Sequence, residues 1–347
     1  MNNNPLGLNG FEFVEFTGPD TAVMAEQLEM MGFVAASRHP ERDIVRYKQG
    51  TINFLLNTAG SAQAADFAEH HGPSANGMAF RVANAKAAYD LALQNGAQAA
   101  DASQGALGKG SYALKGIGGS LLYLVDHNIY ADWIAIPGAA DDEHLNNVGF
   151  KVLDHLTHNV ARGQMRTWSS FYAQIFGFEE QKYFDIKGQA TGLFSQAMIA
   201  PDGNIRIPLN ESQDDTSQIE EFLRQYNGEG IQHIALTTDN IYETVEKLRA
   251  RGVKLQDTIE TYYDLVDTRV PGHGEDLERL KANRILIDGA VGDEGILLQI
   301  FTENTFGPIF FEVIQRKGNQ GFGNGNFQAL FESIELDQIR RGVIKVS

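Results

Sequence analysis

GMAFRVANAKAAYDLALQNGAQ (residues 77–98) and GIQHIALTTDNIYETVEKLRARGVK (residues 230–254), set side by side, decide the fold. Each begins as a strand, passes a polar turn, runs into an amphipathic helix and stops at a glycine, Gly96 or Gly252. Working outward, MMGFVAASRH (30–39) and IFGFEEQKYF (175–184) share a second pattern: a helix end, Gly-Phe, then a strand. GSLLYLV (119–125) and GILLQIF (295–301) share a third. The unit is strand–helix–several strands, present about four times, about two per half. Residues 136–143, IPGAADDE, read as a linker between the halves, because Pro137 and Gly138 break regular structure. Residues 61–76 read as a polar, alanine-rich loop.

The halves differ in their polar residues. Where the second has His233, the first has Met78, Ala79 and Phe80; where the second has Gln299, the first has Tyr123. YADWIAIPG, which ends the first half, holds no counterpart of Glu312. The second half is therefore expected to carry the chemistry, and the first to be a diverged structural copy.

Bulk composition narrows the function classes. The 347 residues carry 45 acidic and 28 basic side chains, a net charge of −17, which argues against nucleic acid or an anionic membrane as partner. Cysteine is absent, so disulfides, thiolate nucleophiles and Cys-ligated metals are excluded. The start, MNNNPLGLNG, lacks the basic and apolar regions of a signal peptide, and no run of about 18 apolar residues occurs. A cytoplasmic location is expected.

Three polar residues lie on expected strands among apolar neighbours: His155 in VLDHLTH, His233 in GIQHIALTT and Glu312 in FFEVIQR. A carboxylate on an apolar face is costly unless paired or metal-bound. Two imidazoles and a carboxylate on one face leave open positions on a six-coordinate metal, an arrangement suited to non-haem Fe(II). A lone strand histidine is more commonly a satisfied core residue, and on the residues alone both readings stand. His158 is an alternative to His155, but three residues along a strand points to the other face. His39, His70, His71, His127, His144 and His273 lie in loop-like contexts and are expected to be exposed. Gln299, Ser195 and Asn210 sit on otherwise apolar strands, either bonded to backbone or facing a substrate.

After Glu312 come Gly321, Gly323 and Gly325, with Phe322 between the first two. Asn326 is placed to cap a helix in which Phe327, Leu330, Phe331 and Ile334 fall on one face. This helix, running to about residue 341, is expected to close the mouth of the site. The glycines do not form a dinucleotide loop, since Asn326 occupies the third glycine position. Arg340 and Arg341 read as a charge pair at the helix C-terminus.

DHLTHNV (154–160), GIQHIAL (230–236), LLQIFT (297–302), FFEVIQR (310–316) and GFGNGNFQALFESIE (321–335) together resemble the 4-hydroxyphenylpyruvate dioxygenases, members of the vicinal oxygen chelate superfamily. The resemblance covers essentially the whole chain and is strongest from about residue 150. It implies an α+β fold with two domains of repeated βαβββ modules forming open barrels. Residues 1–140 would be a structural domain, residues 150–347 the catalytic one, with the C-terminal helix as lid. It implies one Fe(II) per chain on His155, His233 and Glu312. Ser195, Asn210, Gln218, Gln232, Gln299, Phe301, Phe310, Phe322 and Phe327 would line the substrate pocket, although strict alternation turns Gln232 to the face opposite His233. The implied reaction takes 4-hydroxyphenylpyruvate and O₂ to homogentisate and CO₂ in tyrosine and phenylalanine breakdown, by decarboxylation, ring hydroxylation and side-chain migration. A homo-oligomer, dimer or tetramer, is expected. Two other readings compete. A 4-hydroxymandelate synthase would share fold, metal and substrate, though Phe327 favours homogentisate. A metal-free protein of the same superfamily would bind an aromatic ligand without the complete His-His-Glu set.

Overall fold

The computed structural model describes residues 4–58, 62–187, 191–258, 260–323, 325–326, 338–339 and 341–343. In the first half, β1 (Leu8–Thr17), β2 (Val34–Arg38), β3 (Ile44–Gln49), β4 (Ile52–Asn57), β5 (Ser74–Val82), β6 (Tyr112–Lys115), β7 (Leu121–Val125) and β8 (Ile134–Ala135) form one sheet in the order β6-β7-β5-β1-β4-β3-β2-β8. In the second, β9 (Phe150–Val160), β10 (Glu179–Lys187), β11 (Gly192–Ile199), β12 (Arg206–Ser212), β13 (Gly230–Thr238), β14 (Leu286–Ala290), β15 (Gly295–Phe301) and β16 (Phe310–Lys317) are ordered β10-β11-β12-β9-β13-β16-β15-β14.

The modules are explicit in this order. Each returns its last strand parallel beside its first, β4 on β1, β7 on β5, β12 on β9 and β16 on β13. First strands then meet antiparallel, β1 with β5 and β9 with β13. The helix after each first strand is α1 (Thr21–Met30), α3 (Ala85–Gln94), α5 (Met165–Phe176) or α7 (Ile241–Ala250). Asn84 and Asn240 cap α3 and α7, each accepting a backbone N–H three residues on. The second module has only the isolated bridge Ala99–Leu114 where the fourth has β14.

Alternation on β16 sets what each face does. Phe311 turns toward the first half, 6.4 Å from Phe16 and 5.9 Å from Phe54 between ring centres, and is fully buried. Phe33 against Phe150 and Phe80 against Phe176 and Phe178 continue this seam. Each buried aromatic contributes about 1.5–3 kcal/mol, so the halves share a substantial apolar core. Glu312, one residue on, faces the interior of the second sheet.

Several expectations are corrected. Residues 62–76 are not a loop: Ala62–His71 is a helix, α2, and β5 starts at Ser74. Ala64, Phe67 and His71 bury one face of α2, a stripe too short in large apolar residues to stand out. Residues 136–143 lie between the strands of the two sheets, but they are not irregular throughout. Ala139–Asn146 forms α4, packed on β2, and Glu143 pairs with Lys48 at 2.9 Å. His71 is buried, stacked on Tyr226 with Nδ1 2.7 Å from its carbonyl, and the His273 side chain is 6% exposed. GSLLYLV and GILLQIF are not counterparts. By pairing, β7 corresponds to β16: Ala79 stands opposite Tyr123 and Phe13, as Ala235 stands opposite Glu312 and His155. Tyr123 is thus the first-half counterpart of Glu312, Phe13 that of His155, and Gly77, two residues before Ala79 as His233 is before Ala235, that of His233. Phe13 and Tyr123 contact at 5.6 Å and fill that interior with Leu55, Ala79 and Ala113. Helices α6 (Gln218–Tyr226), α8 (Thr261–Asp264), α9 (Val266–Arg269) and α10 (Leu277–Asn283) are additional. The expected lid helix, with Phe327, Leu330, Phe331 and Ile334, lies outside the described residues. Arg341 is described, and it pairs with Glu221 of α6 at 2.6 Å. Among the described residues no helix is long and apolar enough to cross a membrane.

Candidate metal centre

His155 on β9, His233 on β13 and Glu312 on β16 come from three neighbouring strands and point inward. One ligand atom of each lies within 4.8 Å of the others. His155 Nε2 is 3.1 Å and His233 Nε2 3.4 Å from the same oxygen, Glu312 Oε2. All three residues are at most 3% exposed, so an unpaired carboxylate here would cost several kcal/mol.

The far side of each imidazole fixes its tautomer. His155 Nδ1 donates to Asp154 Oδ1 at 2.8 Å, and His233 Nδ1 donates to Gln232 Oε1 at 2.9 Å. Both Nε2 atoms therefore carry lone pairs toward Glu312 Oε2, and Thr157 Oγ1 lies 3.0 Å from His233 Nε2. Three acceptors converge and require a cation or a proton between them. Burial opposes charge on His155, but the carboxylates of Glu312 and Asp154 raise its pKa overall. Burial lowers that of His233 in spite of Glu312. Burial pushes Glu312 up, yet the two histidines bring it down to about 2, so it stays an anion. A divalent cation satisfies all three lone pairs at once, and the donor set fits a two-histidine, one-carboxylate site with open positions.

Two β-bulges build this arrangement. Ile231 pairs with His158 and His233 with Thr157, which leaves Gln232 as the extra residue on β13. Ala235 pairs with His155 and Leu236 with Leu153, which leaves Asp154 extra on β9. At each bulge, alternation is suspended and the residue before a histidine turns back onto its Nδ1. Gln232 thus escapes the opposite face, and its carbonyl oxygen is engaged with His233. Asp154 was missed in the sequence; the available signal was a carboxylate directly preceding a ligand candidate. Burial pushes Asp154 up, but Arg316 and His155 hold it well below the usual carboxylate range.

The other candidates distribute around the triad. Gln299 Nε2 donates to Glu312 Oε1 at 2.8 Å, and Gln299 Oε1 accepts from Asn326 Nδ2 at 3.1 Å. Tyr262 Oη donates to Asn326 Oδ1 at 2.8 Å. Phe310 stacks on His233 at 5.0 Å, with Phe301 edge-on at 6.1 Å. Phe322 stands edge-on to His155 at 5.3 Å. Ser195 pairs across the sheet with Asn210, and Asn210 with Asn159, a third polar residue that sequence reasoning did not single out. Asn159 lies four residues after His155, on the same face, and its side-chain atoms and Asn210 Oδ1 find no partner among the described residues. Gln218 opens α6, capped by Ser217, and no described contact joins it to the triad. Phe327 is outside the described residues. His158 faces away, its Nε2 2.6 Å from Tyr172 Oη and its pKa pushed down to about 3 by burial.

Residues 2–136 match the family model described as hydroxyphenylpyruvate dioxygenase, N-terminal, and residues 152–266 that of the glyoxalase, bleomycin resistance protein and dioxygenase superfamily. The chain is 59% identical to a 4-hydroxyphenylpyruvate dioxygenase of Pseudomonas aeruginosa, over 99% of its own length and 98% of the relative's. It is 53% identical to one of Legionella pneumophila, over 99% of each. A solved structure of a mutant 4-hydroxymandelate synthase from Streptomyces coelicolor aligns with a TM-score of 0.84 at 25% identity, covering 96% of this chain and 99% of that one. The chain belongs to the 4-hydroxyphenylpyruvate dioxygenase family.

Proposed function

We propose that this protein converts 4-hydroxyphenylpyruvate and O₂ to homogentisate and CO₂ in tyrosine and phenylalanine breakdown, with one Fe(II) per chain held by His155, His233 and Glu312. The observation that carries the reading is the convergence of His155 Nε2, His233 Nε2 and one oxygen of Glu312 in a buried cluster, with both Nδ1 atoms engaged elsewhere. Bound there, Fe(II) supplies O₂ activation and a Lewis-acidic seat for the substrate's 2-oxo acid.

The chain's own groups do the rest. Asp154 and Gln232 keep both Nε2 lone pairs aimed at the metal position. Gln299 holds the outer oxygen of Glu312, leaving Oε2 as the ligand atom. Phe301, Phe310 and Phe322 form apolar walls that exclude water. The row Ser195, Asn210 and Asn159 offers polar atoms to the substrate, and the orphaned atoms of the two asparagines support that role. Gln218 and Phe327 complete the pocket in this reading. Residues 150–347 act as the catalytic domain and residues 1–140 as a structural one, a division supported by Phe13, Gly77 and Tyr123 at the positions of the ligands. We assign the enzyme to the cytoplasm, as a dimer or tetramer. The 53–59% identity to dioxygenases, against 25% to a hydroxymandelate synthase, favours homogentisate.

Anaerobic Fe(II) loading followed by iron analysis tests the ligand assignment. The parent chain should retain one iron, and H155A, H233A and E312A should each lose it. Retention of iron by any two of these variants contradicts the assignment.

A further inference from the structure

Arg316 lies four residues beyond Glu312 on β16 and reaches behind the metal centre. Its Nε donates to Asp154 Oδ2 at 2.9 Å and Nη2 to Asp154 Oδ1 at 2.7 Å, a two-point pair. Its Nη1 donates to the carbonyls of Asn319 at 3.0 Å and Gly321 at 2.6 Å. Asp154 Oδ1 is also the acceptor for His155 Nδ1. Phe322 follows Gly321, and its ring lies 5.3 Å from that of His155 and 5.9 Å from the guanidinium carbon. One planar cation therefore grips both the carboxylate that orients a ligand and the backbone that seats an aromatic ring on the same ligand.

We propose that Arg316 is a positioning residue that couples metal occupancy at His155 to the seating of segment 321–323. This rests on the metal reading above. The guanidinium is a rigid fork, so its donors to Asp154 and to the two carbonyls cannot be reset independently. A cation on His155 Nε2 makes the Nδ1–H a stronger donor, which tightens Asp154 in the position the fork requires. Seating of 321–323 is favoured in turn, and by linkage seating retains the metal by the same factor. Lysine supplies the charge without the fork.

Amide hydrogen exchange of Gly321, Phe322 and Gly323, in metal-free and anaerobically Fe(II)-loaded protein with bound iron counted in the same samples, tests the coupling. Iron should slow exchange in the parent chain by about fivefold or more. In R316Q, exchange should be faster without metal and insensitive to iron. Arg206, whose Nη1 is 3.8 Å from Asp154 Oδ2, still offsets the carboxylate in that variant. D154N touches no atom of the segment and should also abolish the iron effect; an arginine that merely braces the carbonyls predicts parental behaviour there. If R316Q does not fold, R316K decides: iron retained with protection lost supports the coupling, and parental protection overturns it. Iron-dependent protection persisting in R316Q or D154N overturns it as well. Iron bound by the parent chain without slower exchange refutes the coupling and leaves the metal reading intact. No iron bound at all refutes the metal reading, and the coupling falls with it.

Discussion

Replacement of Gly323 by alanine probes how closely the glycine-rich segment rests on the site. Gly323 has φ +70°, and an added Cβ would lie 1.9 Å from Gln299 Oε1 and 3.3 Å from Leu297 Cδ1. The left-handed backbone costs a non-glycine residue about 1–2 kcal/mol. Relief of the clash requires Gln299 to abandon Glu312, a bond to a charged group worth about 1.5–3 kcal/mol. Together these disfavour the seated segment by about 2.5–5 kcal/mol, roughly two to four decades in its population. The segment should therefore lift, taking Phe322 off His155. No ligand is altered, so G323A should still take up one iron per chain at saturating Fe(II), with its affinity lowered by no more than the coupling factor. Its homogentisate yield per O₂ consumed should fall, with kcat reduced by about tenfold or more. O₂ electrode traces with chromatography of products and iron analysis measure all three. A variant with parental rate and coupling would show that the contact between Gly323 and Gln299 has no part in forming the site.

Two further outcomes separate structural from chemical roles. H158A should keep its iron while losing about 2–4 kcal/mol of stability, because it leaves a cavity and strips Tyr172 Oη of its partner; iron lost from H158A but kept in H155A would reverse the ligand assignment. Glu15, fully buried in the first half, has its pKa raised by burial despite hydrogen bonds from Asn57 and Asn76. Its folded state holds a proton that the unfolded chain releases above about pH 4.5, so parental stability falls as pH rises through that window. E15Q should match the parent at pH 4 and exceed it at pH 7.5 in denaturant midpoint, and a difference independent of pH would refute this.

The module order was legible because its signals are local: a strand, a capped helix, a closing glycine. The second half's three ligand candidates were legible as polar residues on apolar strands. Asp154 and the reach of Gln232 were not, because a bulge is a property of pairing between strands and leaves little trace in either strand alone. The match of GSLLYLV to GILLQIF misled for a related reason. Two apolar strands look alike whatever their ladder position, and only the parallel pairing of β7 with β5 reveals Tyr123 as the counterpart of Glu312. Helix α2 was hidden by alanine, which favours a helix but contributes little to an apolar stripe.

The most direct test of the central claim is product analysis of the anaerobically Fe(II)-loaded chain, mixed with 4-hydroxyphenylpyruvate and then exposed to air. The account predicts homogentisate and CO₂, one of each per O₂ consumed. Formation of 4-hydroxymandelate as the main product, or an absence of O₂ uptake by iron-loaded protein, would contradict it.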